Sequence, residues 1–240
     1  MDKDLTLAAL REGEMRLEGQ FVYGSNHTFL AICTIADLEI KAVYKPMQGE
    51  RPLWDFPIKT LARREVAAYM VSEALGWELV PPTIFRLKGA PMGPGSVQFF
   101  IEHDPNLHFF TFKKKKKTQF QKVMAFDLLI NNADRKGGHF LLDANGKLWL
   151  IDHGVSFHEE DKLRTVLWDF AGQAIPQKII DDVHAIIPYL SPENELYQSL
   201  QPHLLPQEIQ ALKTRSEELV KNGIFPLPPE ERRAYPWPLV

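Results

Sequence analysis

The patterning of this chain changes once, near residue 118, and that change limits the folds open to it. Before it, short extended segments alternate with turn residues around one helix. After it, helical periodicity takes over, broken by a single hairpin signal. A chain ordered as strands, helix, strands and then helices builds an α+β fold of two unlike lobes with a cleft between them.

The elements follow from local chemistry. A short helix opens the chain. Met15 to Val22 and His27 to Cys33 are extended, joined by the turn residues Tyr23-Gly24-Ser25-Asn26. Asp37-Leu38 marks a second turn. Glu39 to Lys45 alternates as a third strand, so Lys41, Val43 and Lys45 share one face. Pro46 closes that strand, because proline cannot donate to a ladder. Leu61 to Leu75 carries apolar residues at helical spacing, with Gly76 at its C-terminal stop. Pro81-Pro82 forces extension. Ile84 to Leu87 and Val97 to Ile101 are then two strands around the turn from Gly89 to Gly95.

Phe120 to Ile130 reads as an apolar helix, and Asn131 to His139 as a polar loop. Phe140 to Leu142 and Leu148 to Ile151 pair across Asp143-Ala144-Asn145-Gly146, where Asn-Gly is a strong hairpin signal. Pro176 to Ile187 and Pro206 to Asn222 are amphipathic helices, and the proline-rich tail from Pro226 to Val240 is expected to wrap a surface. The lobes are expected to divide as residues 1–104 and 105–240.

Composition removes several functions. A net charge of -3 argues against a dedicated nucleic-acid binder. No run of eighteen apolar residues exists, so no membrane span is expected. The charged start Met1-Asp2-Lys3-Asp4 lacks a following apolar run, which argues against a secretory signal. One cysteine, Cys33, excludes an internal disulfide and fits a reducing cytoplasm. Lys113 to Lys117 are five consecutive lysines behind Phe109, Phe110 and Phe112. They read either as a solvated, self-repelling loop or as a patch for an anionic surface, membrane lipid or acidic partner.

Phosphoryl transfer needs a cation for the nucleotide phosphates, carboxylates for magnesium, and one more carboxylate to orient the acceptor hydroxyl. Lys45 ends an apolar strand and suits a point-charge contact to phosphate. Glu65, in the following helix, is placed to pair with it. Asp134 opens the loop before the hairpin, and Asp152 follows the hairpin's second strand. Two carboxylates at the ends of apolar elements can converge on one metal or substrate. His139 and His153 interleave with them, so a hydrolytic metal centre is a rival reading. Gly24-Ser25-Asn26 offers backbone N–H groups to phosphates, although a plain hairpin turn explains it too.

Five segments carry a resemblance. Val43-Tyr44-Lys45-Pro46, Arg64 to Tyr69, Gly95 to Phe100, Asn132-Ala133-Asp134-Arg135 and Ile151-Asp152-His153-Gly154 are similar, in this order, to the phosphatidylinositol 3- and 4-kinase-like family. Its small bacterial branch is the nearer likeness, and Tyr235-Pro236-Trp237-Pro238 resembles the ending of that branch. The resemblance spans most of residues 15–175. It implies a protein-kinase-like fold, with a β-rich N-lobe and a mainly helical C-lobe that contains the hairpin.

It also implies ATP and magnesium in the cleft. Lys45 would contact the α- and β-phosphates, and Glu65 would hold Lys45. Gln98, Phe99, Phe100, Ile101 and Glu102 would form the hinge that meets adenine. Asp134 would be the catalytic aspartate with Arg135 beside it, and Asp152 would hold magnesium. Related kinases carry a metal-binding asparagine five residues beyond the catalytic aspartate; here that position is His139. Imidazole is a poorer ligand for hard magnesium than an amide oxygen, so manganese is the alternative. The implied activity is transfer of the γ-phosphate to an unidentified hydroxyl of a protein, small molecule or lipid. The alternatives are a nucleotide-binding pseudokinase and a kinase-fold AMP transferase.

Overall fold

The computed structural model describes residues 2–21, 27–112 and 117–240. Helix α1 (Lys3–Glu12) begins on Asp2, whose carboxylate accepts the N–H groups of Asp4 and Leu5 at 2.8 and 3.1 Å. That is the usual N-cap satisfaction of otherwise orphaned donors. An antiparallel five-stranded sheet follows. Its strands are β1 (Glu14–Gln20), β2 (Phe29–Ile35), β3 (Leu38–Pro46), β4 (Thr83–Arg86) and β5 (Gly95–Phe99), in the spatial order β1-β2-β3-β5-β4.

The period of two decides the faces of β3. Ile40, Ala42 and Tyr44 are buried in the sheet's own core with Ala31, Cys33 and Val97. Val43 and Lys45 therefore face the opposite way, into the cleft. Gly95 sits opposite Pro46 at the end of this strand. A β-carbon there would lie 2.4 Å from the Lys45 carbonyl oxygen. Glycine alone lets β5 close onto the strand end that carries Lys45.

Helix α2 (Leu61–Ala74) joins the two sections of the sheet and is buried on nearly every side. Such a helix has no single apolar stripe, because it is sandwiched between layers. Its Ala67, Val71 and Leu75 neighbour pack into the large core of the second half. That half contains α3 (Lys117–Ile130), the hairpin β6 (Phe140–Leu142) and β7 (Leu148–Leu150), α4 (Gln177–Ile186), α5 (Glu195–Leu200) and α6 (Pro206–Asn222). The Asp143 carboxylate closes the hairpin turn by accepting the N–H groups of Asn145 and Lys147, both at 2.9 Å.

The expected two-lobed α+β architecture is thus the observed one. Strand β5 stops at Phe99, so Phe100 and Ile101 leave the sheet earlier than alternation predicts. Helix α5, six residues long, is too short to announce itself by periodicity. The tail does wrap the helical lobe. Ala234 accepts from the Thr165 amide and the Trp168 indole, each at 3.1 Å, and Leu239 accepts from the Gly137 amide at 2.7 Å. Among the described residues, no helix is long and apolar enough to cross a membrane.

Candidate active site

Between the sheet and the helical lobe lies a cavity of about 300 Å³, at the small end of ordinary ligand pockets. Lys45, Glu65, Asp134 and Asp152 line it together with Gln98 to Ile101. Five elements separated by up to 107 positions in sequence meet there.

Lys45 is the hub. Its ammonium pairs with Glu65 of α2 and lies 3.1 Å from an Asp152 carboxylate oxygen. Burial opposes a charge on Lys45, but the carboxylates of Asp152 and Glu65 outweigh it and hold its pKa above the ordinary lysine value. Glu65 is 3% exposed, and its second oxygen accepts the backbone N–H of His153 at 2.9 Å. Burial would neutralise Glu65, but Lys45 keeps its pKa below the usual carboxylate range. Asp152 is 53% exposed, so water screens its contacts. The Lys45 charge is the main cause of its lowered pKa. Asp152 has a φ of 63°, a left-handed conformation that aspartate tolerates better than most residues.

The loop after α3 supplies the opposite wall. The Asn132 side-chain oxygen accepts the Asp134 N–H at 2.9 Å, and Ala133 donates to the Val155 carbonyl at 2.9 Å. These bonds turn the Asp134 carboxylate toward the cleft, where Lys136 contacts it at 3.1 Å. Burial raises the pKa of Asp134 above its ordinary value. A raised pKa brings a carboxylate closer to the range useful to a general base.

Three residues stand elsewhere than expected. Arg135 is fully buried and points away from the cleft. It pairs with Asp127 of α3 and donates to the Ile151 carbonyl at 2.8 Å. Its guanidinium holds the loop together; successive backbone positions send Asp134 and Arg135 to opposite sides. His153 is also fully buried, with its ring edge-on to Phe126, so it does not join Asp152 in the cleft. Burial lowers its pKa to about 4, leaving it neutral near pH 7. Glu102 lies outside the cavity lining and pairs with Lys41 on the surface at 2.6 Å.

His139 sits behind Asp152, with Nε2 3.3 Å from Oδ2. Its Nδ1 accepts the Lys136 N–H at 3.3 Å. Burial lowers the imidazole pKa to about 3, so the ring is neutral. A neutral ring that accepts at Nδ1 carries its proton at Nε2. The protonated Nε2 faces the Asp152 carboxylate at 3.3 Å, which leaves no Nε2 lone pair for a metal.

These residues fit a phosphate-borne divalent cation. Magnesium is commonly held by one or two carboxylates plus substrate phosphates, and Asp152 presents a hard carboxylate to the cleft beside the Lys45 ammonium. Among the described residues, no group of three or more His, Cys, Asp or Glu side chains is arranged to hold a metal by itself. The rival hydrolytic centre therefore lacks a protein ligand shell there. Gly24 and Ser25 lie outside the described residues, as do Lys113 to Lys116; Lys117 begins α3.

Sequence reasoning missed two carboxylates. Asp127 betrays itself only as the one acidic residue inside an apolar helix. Glu50 has no local signal. It lines the cleft and caps α2 from eleven residues away, accepting the N–H groups of Leu61 and Ala62 at 3.1 and 2.8 Å.

A family model described as phosphatidylinositol 3- and 4-kinase matches residues 56–212. The chain belongs to the phosphatidylinositol 3- and 4-kinase family. Protein Rv2133c of Mycobacterium tuberculosis is 36% identical over 96% of this chain and 94% of that protein. Two solved structures share the fold. The golgi casein kinase superposes with a TM-score of 0.56 at 16% identity, over 91% of this chain and 73% of that one. Hydra Fam20, solved with sugar, superposes with a TM-score of 0.60 at 15% identity, over 90% and 87%. The β-rich lobe, the helical lobe and the cleft between them are those of a kinase-like fold.

Proposed function

We propose that this protein is an ATP-dependent phosphotransferase that moves the γ-phosphate to a hydroxyl acceptor. The observation that carries the reading is the chain of charges Glu65–Lys45–Asp152, facing Asp134 across one cavity. Family membership supports the same class of reaction.

In this reading residues 1–104 bind the nucleotide and residues 105–240 bring the catalytic and metal-binding carboxylates. Lys45 neutralises the α- and β-phosphates, and Glu65 fixes its rotamer. The segment from Gln98 to Ile101 meets adenine, with the Gln98 amide tied to Thr83 at 2.9 Å. Asp134 orients the acceptor hydroxyl and takes its proton as the oxygen attacks the γ-phosphorus, the bond to the β-phosphate oxygen breaks and ADP leaves. Asp152 holds a divalent cation, and His139 orients Asp152 from behind. When bound, that cation neutralises charge developing on the transferred phosphoryl group. The acceptor is a hydroxyl of a protein, a small molecule or a lipid. Separately from the acceptor, the lysines from Lys113 to Lys117 are read as a contact for an anionic surface, membrane lipid or an acidic partner.

The test is thermal melting with ATP and either magnesium or manganese, followed by labelled ATP. ATP with metal should raise the melting temperature, and Asp152→Ala should remove the rise. Label from the γ position should reach water, an added acceptor or the protein itself. Transfer of the α label would mean AMP transfer in its place. No melting shift with either metal would sink the nucleotide reading.

A further inference from the structure

The charge chain depends on where α2 sits, because α2 carries Glu65. We propose that Arg64 is a positioning residue, which bolts α2 to the helical lobe and so holds Glu65 against Lys45. The proposal rests on the phosphotransferase reading for its catalytic consequence, and on geometry alone for the anchoring.

Arg64 is 1% exposed although it is a full charge on a helix. Every nitrogen of its guanidinium has a use. Nη1 donates to the Ser156 carbonyl at 2.6 Å, Nη2 pairs with Glu208, and Nε donates to the Thr60 hydroxyl at 3.3 Å. Its guanidinium carbon lies 4.9 Å from the centre of the Phe56 ring. Glu208 is equally committed. It is buried, and its other oxygen accepts the Leu205 N–H at 2.9 Å, capping α6. A planar fork that fills three separate acceptors is a geometry lysine cannot copy.

The anchoring points matter more than their number. Ser156 lies four residues beyond Asp152, and Glu65 itself accepts the His153 N–H at 2.9 Å. Two successive residues of α2 therefore grip the same segment, 152–156, from two directions about 100° apart around the helix. Arg63 adds a bond from α2 to the Pro202 carbonyl, just before α6. Apolar packing agrees: Ala67, Ala68, Tyr69 and Val71 belong to the helical lobe's core. Among the described residues, none of α2 belongs to the buried core of the sheet. The helix that completes the nucleotide site is thus tied to the lobe that carries Asp134 and Asp152, and the Lys45–Glu65 pair joins that lobe to β3 of the sheet.

Removing Arg64 alone would strand the buried Glu208 carboxylate and risk unfolding. The paired variant Arg64→Met/Glu208→Met removes both charges and keeps the volume. We expect it to melt within a few degrees of wild type. Hydrogen exchange should nevertheless accelerate in residues 61–66 and 152–156 and stay unchanged in α3. Turnover per KM for ATP should fall by roughly ten- to hundredfold, the usual penalty for a misplacement of about 1 Å. Local exchange at the wild-type rate overturns the proposal. So does a normal kcat and KM in a variant whose exchange has changed. If the paired variant fails to fold, Arg64→Lys serves. It keeps the charge beside Glu208 and loses the bond to Ser156, so residues 152–156 should still exchange faster, and an unchanged rate refutes the anchor. If wild type binds and turns over no nucleotide, the phosphotransferase reading falls, and the exchange measurement still decides the anchoring.

Discussion

Replacing Lys45 with methionine tests the charge chain at its hub. Glu65 is 3% exposed and keeps only the His153 amide once the ammonium is gone. Breaking a buried pair from one side costs about 3–5 kcal/mol. Lys45 is 22% exposed, and the amide stays, so the low end of that range applies. About 3 kcal/mol corresponds to roughly 6–12 °C of melting temperature in a chain of this size. The sign of the pH dependence follows. In wild type the folded Glu65 pKa is depressed, so its stabilisation is present above the unfolded pKa of about 4.3 and is lost as acid is added. In Lys45→Met burial is unopposed, so the folded pKa lies above the unfolded one. That variant takes up a proton on folding and is relieved by acid. The gap between the two proteins should therefore be widest near pH 7, start to narrow as acid crosses the variant's raised Glu65 pKa, and close only as wild-type Glu65 protonates near its folded pKa of about 2. Calorimetry across this range measures it, and Lys45→Met/Glu65→Gln should recover most of the stability at pH 7 without recovering ATP turnover. A single variant as stable as wild type at pH 7, or a gap that ignores pH, would refute the buried-pair argument.

The other expectations concern the loop and the metal side. Asp134→Asn should lower turnover by about 10²–10⁴-fold while preserving the ATP-dependent melting shift; loss of both together would make Asp134 a structural residue. His139→Asn puts an amide oxygen beside Asp152, where the wild-type ring offers a metal no lone pair, and should raise the ratio of magnesium- to manganese-supported turnover, measured side by side; an unchanged ratio would mean that position 139 does not reach the metal. Arg135→Met strands Asp127, which is fully buried, and should cost about 3–5 kcal/mol, read by denaturant unfolding; a normal midpoint would mean that the pair holds nothing.

Much of the site was legible because its parts are local. Alternation placed Lys45 on the cleft side of β3, and helical spacing placed Glu65 inside α2. The Asn-Gly turn predicted the hairpin that separates Asp134 from Asp152. The misreadings share one cause. Arg135 and His153 each sit beside a cleft residue in sequence, and neither reaches the cleft in space. Arg135 turns inward because Asp127 offers a buried charge to neutralise, and His153 turns inward to fill the space against Phe126. His139 reaches Asp152, but its tautomer depends on the Lys136 amide. Glu208 has its charged partner, Arg64, 144 positions away, which no window of sequence brings together.

Taken by itself, the sequence determined the order of elements, the two-lobed class, and the identity of the charges available for phosphate chemistry. These follow from dihedral preferences and apolar periodicity, which act over a few neighbouring residues. Tertiary structure alone decided which of those charges face the cleft and which are spent holding it. That choice depends on the cost of burying a charge without a partner, and the partners come from positions as far apart as Arg64 and Glu208.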